Sequence, residues 1–289
     1  MPACTLPPHP PKRITICNTL RIYGPGCLQN HHNPDVPPSQ SEDCLNLNVY
    51  TPPTSCSGPL PAMIWFHGGS FEEGGSSLFY YNATNLAVSQ CVVVVTGNYR
   101  LGAFGSLFLP VCCPLNRNPL VFPHASQGLD GNQNLRDQRA MMQWLHTNAA
   151  ALGVDTSRVT IFGQSAGAMS IQFHLTSPLS QPFFSRAIME SSFGAMTYKS
   201  RKEALQFGSF FSEQMGCGDD ATAALACMRN ASSDAVKAAW VGLGGNAKKI
   251  AKMVIDWQNL AVALTFTPAV LETDEWFAPA PPNSARLSF

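Results

Sequence analysis

Gly163-Gln164-Ser165-Ala166-Gly167 sets a serine between two glycines, directly after the apolar run Val159-Thr160-Ile161-Phe162. The small residues that follow predict a helix. Where a strand turns sharply into a helix at a serine, the hydroxyl stands exposed at the strand's end, and the bend leaves no room for a side chain on either flank. A hydroxyl held this way is a nucleophile for acyl transfer. Composition alone yields such a pentapeptide in a chain of this length with a probability on the order of 0.1. The strand before it and the helix after it therefore separate a nucleophile from an ordinary Gly-Ser turn.

Acyl transfer also needs donors for the oxygen that gains charge. His67-Gly68-Gly69-Ser70-Phe71 follows a second apolar run, Ala62-Met63-Ile64-Trp65-Phe66. Glycines let backbone N–H groups come close to a substrate oxygen, and losing one such donor costs roughly 3–4 kcal/mol. The expected donors are the amides of Gly68, Gly69 and Ala166. His67 is read as a brace for the loop, not as an acid or base, and a plain glycine-rich turn is the alternative for the whole segment. This chemistry calls for no metal and no cofactor.

The elements that must position these residues alternate. Leu45, Leu47 and Val49 are interleaved with polar residues, which predicts a half-buried strand ended by Pro52-Pro53. Ala62–Phe66 and Cys91–Thr96 read as strands covered on both faces, Val159–Phe162 as a short strand and Arg186–Glu190 as the next one. A helix from a cap at Asn134 to about Ala150 would bury Leu135, Met141, Met142 and Leu145. Helical patterns then run over Lys202–Met215, Thr222–Arg229, Ser233–Val241 and near Lys248–Leu264. The whole is an α/β class, a mostly parallel sheet flanked by helices, with later helices inserted beside it. Residues 1–40 are rich in Pro, Asn and His without periodicity and are expected to be loop; 1–21 are assigned as an irregular, disordered N-terminus and 22–289 as a partial domain. Residues 111–133 read as a long connection.

Composition narrows the function further. Among 289 residues, 45% are hydrophobic and only 12% charged, with zero formal net charge. No basic surplus exists to hold a phosphate backbone, so no nucleic-acid partner is expected. The longest apolar run, Cys91 to Val95, is far too short to cross a bilayer. The proline-rich start lacks the apolar core of a signal peptide. Yet ten cysteines and the sequons Asn82-Ala83-Thr84 and Asn230-Ala231-Ser232 suit a secreted protein or the secretory pathway. The expectation that reconciles the two is that the true N-terminus is missing or wrongly assigned in this sequence.

Further segments carry a resemblance. Glu42 to Tyr50, the His67-Gly68-Gly69 loop, Asn98 to Gly105, Gly131-Asn132 with Leu135 to Arg139, Val159 to Gly167 and Ser177-Pro178-Leu179-Ser180 occur in this order. Together they resemble the type-B carboxylesterase and cholinesterase-like family of α/β-hydrolases over roughly residues 22–280. The resemblance implies an α/β-hydrolase fold, incomplete at the C-terminus, and a carboxylic ester hydrolase acting on a small-molecule ester through Ser165 and an acyl-enzyme. It implies disulfides Cys27–Cys44 and Cys217–Cys227, each worth roughly 3 kcal/mol, and an Arg100–Asp137 ion pair of structural role. The other six cysteines match nothing, and Cys91, in a strand, is expected to be a buried free thiol. Gln164 stands where the family usually has glutamate, which weakens the case for a cationic choline ester.

A triad in this fold runs in the order serine, acid, histidine. By resemblance the acid lies beyond Phe289, and Asp274 and Glu275 fall where the family carries acidic residues without a catalytic role. His174 is the only histidine after Ser165; on one helix it would stand about 13.5 Å along the axis, off the serine's face. His124 and His146 are assigned to surface or packing. Without a base the loss is on the order of 10⁴–10⁶-fold, so the chain is expected to be a fragment inactive alone, its sheet ending on an exposed apolar edge. Two alternatives remain open: a non-catalytic cholinesterase-like adhesion module, and protease or thioesterase chemistry on the same elbow.

Overall fold

Consecutive β-branched residues favour extended backbone and cannot leave either face to water. Such runs form the middle of the sheet. The computed structural model describes residues 23–29, 37, 39–109, 129–192, 198–218, 220–242 and 269–270. Its elements in chain order are β1 (Gly26–Cys27), β2 (Gln40–Ser41), β3 (Leu47–Tyr50), β4 (Leu60–Phe66), α1 (Thr84–Gln90), β5 (Val93–Gly97), α2 (Gly102–Ser106), β6 (Phe108–Leu109), β7 (Leu129–Asp130), α3 (Gln133–Leu152), β8 (Val154–Gln164), α4 (Ala166–Thr176), β9 (Arg186–Glu190), β10 (Lys199–Ser200), α5 (Arg201–Gln214), α6 (Ala221–Asn230), α7 (Ser233–Gly242) and β11 (Ala269–Val270).

The main sheet has the order β3-β5-β4-β8-β9. β3 is antiparallel to β5, and the other neighbours are parallel. Side chains alternate between two covered faces. Ile64, Phe66, Val93, Val95 and Ile161 pack with Met141, Met142 and Leu145 of α3 and Ile171 of α4. Met63, Val94 and Phe162 turn to the other face, against Ala87 and Leu86 of α1. A second core joins Phe71, Tyr99 and Leu101 to Phe207, Phe210 and Phe211 of α5, Leu225 and Met228 of α6 and Trp240 of α7. The later helices therefore sit beside the sheet, against the loops that follow β4 and β5. Among the described residues β3 and β9 are the two edges of this sheet, and on β9 Ile188 and Met189 are 45% and 42% exposed.

Arg100 ties the loop after β5 to α3. Its backbone N–H and Nε donate to one oxygen of Asp137 (3.0 and 2.7 Å), and its Nη2 donates to the other (2.6 Å). Asp137 is buried, so its charge is compensated through two side-chain contacts at once.

Several expectations change. α3 begins at Gln133, with Asn132 in the left-handed region at the cap, not at Asn134. Asn134 is buried in the first turn and donates to Ser106 Oγ (2.8 Å). Cys91 is not a free thiol in a strand. It is the left-handed C-cap of α1, at φ 48°, and is bonded to Cys56. That cap turns its side chain out of the strand line, toward the turn before β4. Cys27–Cys44 and Cys217–Cys227 are bonded as well. The helix expected near 248–264, most of 111–133 and most of 1–40 lie outside the described residues.

A non-reducing peptide map should join Cys56 to Cys91. The Cys91→Ala variant should lose about 3–4 kcal/mol of stability in chemical denaturation, since the bond closes a loop of 35 residues. Recovery of both as free thiols would contradict the pairing.

Candidate active site

The site begins where β4 and β8 end side by side. Phe66 pairs with Gly163 in parallel register, so the residues after each strand emerge at the same edge. After Gln164 the chain bends into α4. The bend forces Ser165 to φ 54°, ψ −118°, a backbone region that costs a non-glycine residue on the order of 1–3 kcal/mol. The flanking glycines are explained by space. A Cβ on Gly167 would stand 2.0 Å from the Phe66 carbonyl oxygen and 2.9 Å from that of His67, and one on Gly163 would stand 2.7 Å from the Phe66 oxygen. Two bonds hold the bend: Ser165 N–H donates to Glu190 O of β9, and Met169 N–H to Ser165 O, both at 2.9 Å.

The loop after β4 lies against this bend. A Cβ on Gly68 would come within 2.6 Å of Gln164 Oε1 and 3.4 Å of Ser165 Cβ. Gly69, Ser70 and Phe71 all have positive φ, and the amides of Glu72 and Glu73 both donate to Gly69 O. The chain thus curls back on itself at Gly69, with Gly68 beside the serine. Among the described residues no protein acceptor takes the amides of Gly68, Gly69 or Ala166, and Ser165 is partly exposed while Ala166 is buried. Gly68 of the loop and Ala166 of α4 therefore both lie next to Ser165, and Gly69 follows Gly68 in the same loop.

His67 braces the loop from inside. Its Nδ1–H donates to Gly68 O at 2.7 Å. Its ring stacks on Tyr99, with centroids 4.2 Å apart, and Tyr99 Oη–H donates to His67 O at 2.6 Å. His174 does not approach Ser165. It is buried and bonded to Gln138 Oε1 and Ser180 Oγ. His146 contacts Phe183 O, and His124 lies outside the described residues. Among the described residues no histidine hydrogen-bonds the serine.

Tyr99 and Gln29 escape the sequence argument. Gln29 is fully buried; its Oε1 accepts from Gly74 N–H (2.7 Å) and its Nε2 donates to Gly74 O (2.8 Å). It holds the far end of the loop as a strand would. Gly74 in turn presses on the brace, where a Cβ would stand 2.7 Å from His67 Nδ1. Gln29 falls in a stretch rich in Pro, Asn and His, so nothing local marks it. Tyr99 had a signal, since it follows an apolar strand and precedes Arg100.

A strand–serine–helix bend at the edge of a largely parallel sheet, with a glycine loop from the neighbouring strand beside it, defines an α/β-hydrolase fold. The sequence profile described as "Carboxylesterase family" matches residues 6–259, and the chain belongs to that family. Acetylcholinesterase of Danio rerio is 40% identical over 198 residues, 66% of this chain and 28% of that protein. Fumonisin B1 esterase of Sphingopyxis macrogoltabida is 38% identical over 64% of this chain and 33% of its own length. Cholinesterase 1 of Branchiostoma lanceolatum is 36% identical over 68% of this chain and 52% of its own. The match thus spans between 28% and 52% of the lengths of these relatives. Among solved structures, a PNB esterase aligns over 86% of this chain and 46% of its own with TM-score 0.67 and 33% identity, and a thermophilic PNB esterase does so with the same TM-score and 31% identity.

Burial sets the behaviour of the two inner histidines. Desolvation pushes His67 from 6.5 down to about 4, against a raising effect of the Gly68 bond. It pushes His174 down to about 3, helped by the Arg139 charge. Both bind a proton more readily in the unfolded chain, so the stability they contribute is full above the unfolded value and is lost as pH falls through the folded ones. Chemical denaturation from neutral pH down to about 4 should show a loss of roughly 3 kcal/mol traceable to His67. The His67→Gln variant should flatten that slope, and an unchanged slope would contradict the assignment.

Proposed function

We propose that this chain supplies the nucleophile and the oxyanion hole of a carboxylic ester hydrolase. The observation that carries the proposal is the strained Ser165, standing against Gly68, with the amides of Gly68, Gly69 and Ala166 taken by no acceptor among the described residues. Ser165 Oγ attacks the ester carbonyl carbon, and the hydroxyl proton passes to a base. The carbonyl oxygen takes the electron pair and accepts hydrogen bonds from Gly68, Gly69 and Ala166, which strengthen as its charge grows. The alcohol leaves, an acyl-serine remains, and water releases the acid. The His67 ring is turned to Gly68 O and Tyr99, and His146 and His174 are bonded elsewhere, so none of these three is taken as the base.

The substrate class is a small neutral ester. Gln164 gives the pocket an amide beside Gly68 and no charge with which to draw a cation. The relatives' names support ester hydrolysis as the reaction. The chain belongs to the secretory pathway on this account, because three disulfides persist only in an oxidising compartment. The exposure of Asn82 and Asn230 fits a glycoprotein.

One observation favours a non-catalytic binding module instead: the described residues bring no histidine to Ser165. Against it stands the strain at Ser165, for which a binding surface has no use. A fluorophosphonate probe separates the two in the full-length protein. We expect one adduct, on Ser165, absent in Ser165→Ala. No adduct, or an adduct on another residue, would overturn the hydrolase.

A further inference from the structure

His174 has no part in the proposed reaction, yet it is fully buried, and so are Gln138, Ser170 and Ser180 around it. These four side chains form a continuous line of hydrogen bonds. Ser180 Oγ lies 3.0 Å from His174 Nδ1. His174 Nε2 lies 2.9 Å from Gln138 Oε1. Gln138 Nε2 donates to Ser170 Oγ at 3.0 Å, and Ser170 Oγ–H donates to Ala166 O at 2.9 Å.

The donors can be assigned from one end to the other. Gln138 offers its N–H to Ser170, so the oxygen of the same amide faces His174 and can only accept. His174 Nε2 therefore carries the proton. Burial and the Arg139 charge hold the ring neutral, so Nδ1 is bare and accepts from Ser180. All four bonds point the same way, toward the carbonyl of Ala166. Aligned bonds polarise one another, and each is stronger in the line than alone.

The end point matters because Ala166 is the first residue of α4 and its amide is one of the three donors proposed for the oxyanion. The second member of the line matters too. The His174 ring packs on Phe66, with centroids 5.4 Å apart, and Phe66 is the last residue of β4 before the loop of Gly68 and Gly69. Gln138 lies on α3. One buried line thus ties α3, α4 and the end of β4 to the two sides of the proposed oxyanion hole.

We propose that His174 and Gln138 are positioning residues: the one-way line Ser180–His174–Gln138–Ser170–Ala166 sets the Ala166 amide against the Gly68-Gly69 loop. This rests on the proposed nucleophile, but its first test does not. Proton–nitrogen correlation spectra of the full-length protein, labelled with ¹⁵N-histidine, should show one neutral, solvent-shielded histidine protonated on Nε2, with its resonances lost in His174→Gln. That ring protonated on Nδ1 would reverse the line and overturn the proposal.

The second test reads position through phosphonylation of Ser165 by a fluorophosphonate. The Ser170→Ala variant cuts the bond to Ala166 while leaving His174 in place. We expect the maximal labelling rate to fall roughly tenfold, with half-saturation by the probe little changed, and Ser170→Thr, which keeps a hydroxyl, to recover most of the rate. A labelling rate equal to wild type in folded Ser170→Ala, even with a lowered melting temperature, would make the line merely structural and end the positioning claim. If wild-type protein takes no label at Ser165, the nucleophile fails and positioning falls with it, while the Nε2 assignment stands on its own spectrum.

Discussion

The contact on which the structure turns is the one between the first turn of α4 and the end of β4. No side chain fits between Gly167 and the carbonyls of Phe66 and His67, where a Cβ would stand 2.0 Å from the first. Because the two backbones touch, the chain cannot relax at Ser165, and the residue is held at positive φ. Because β4 and β8 run parallel in register up to Phe66 and Gly163, the loop after the one and the bend after the other emerge together. The strain at the serine and the closeness of the glycine loop are two results of the same packing.

The surroundings make that contact rigid from three directions. His67, stacked on Tyr99, fills the inside of the loop. Gln29 holds the far end of the loop at Gly74, close in sequence to the Cys27–Cys44 bond. The buried line through His174 and Gln138 backs the helix side. Each of these groups is desolvated, and each unmade bond there would cost about 1–3 kcal/mol. Desolvation also keeps both inner histidines neutral, which suits bracing and makes them poor bases.

Much of this was legible in the sequence because it is local. Arg186–Glu190 is a strand as expected, and the helices read from Lys202, Thr222 and Ser233 begin within one residue of those positions. The apolar face of α3 was visible in the spacing of Leu135, Met141, Met142 and Leu145, although Leu135 packs in a separate cluster with Phe108 and Phe173. What escaped depends on distant partners or on short elements. β8 starts at Val154, five residues before the apolar run, because Asp155 to Arg158 are polar and largely exposed. α1 and α2 are too short for their few apolar residues to show a period. Cys91 looked like one more residue of an apolar strand, since its partner lies 35 residues away across a turn. The bend at Ser165 and the glycine loop beside it were legible because both are runs of small residues after apolar strands, whereas the contacts of Tyr99, Gln29 and the His174 line are defined only by folding.

The central claim is spatial: a tetrahedral adduct on Ser165 must point an oxygen at main-chain amides. A crystal structure of the full-length protein phosphonylated at Ser165 measures this directly. The phosphoryl oxygen should lie at about 2.7–3.1 Å from the nitrogens of Gly68, Gly69 and Ala166. An adduct whose oxygen faces solvent or side chains, with those three nitrogens out of reach, would contradict the account.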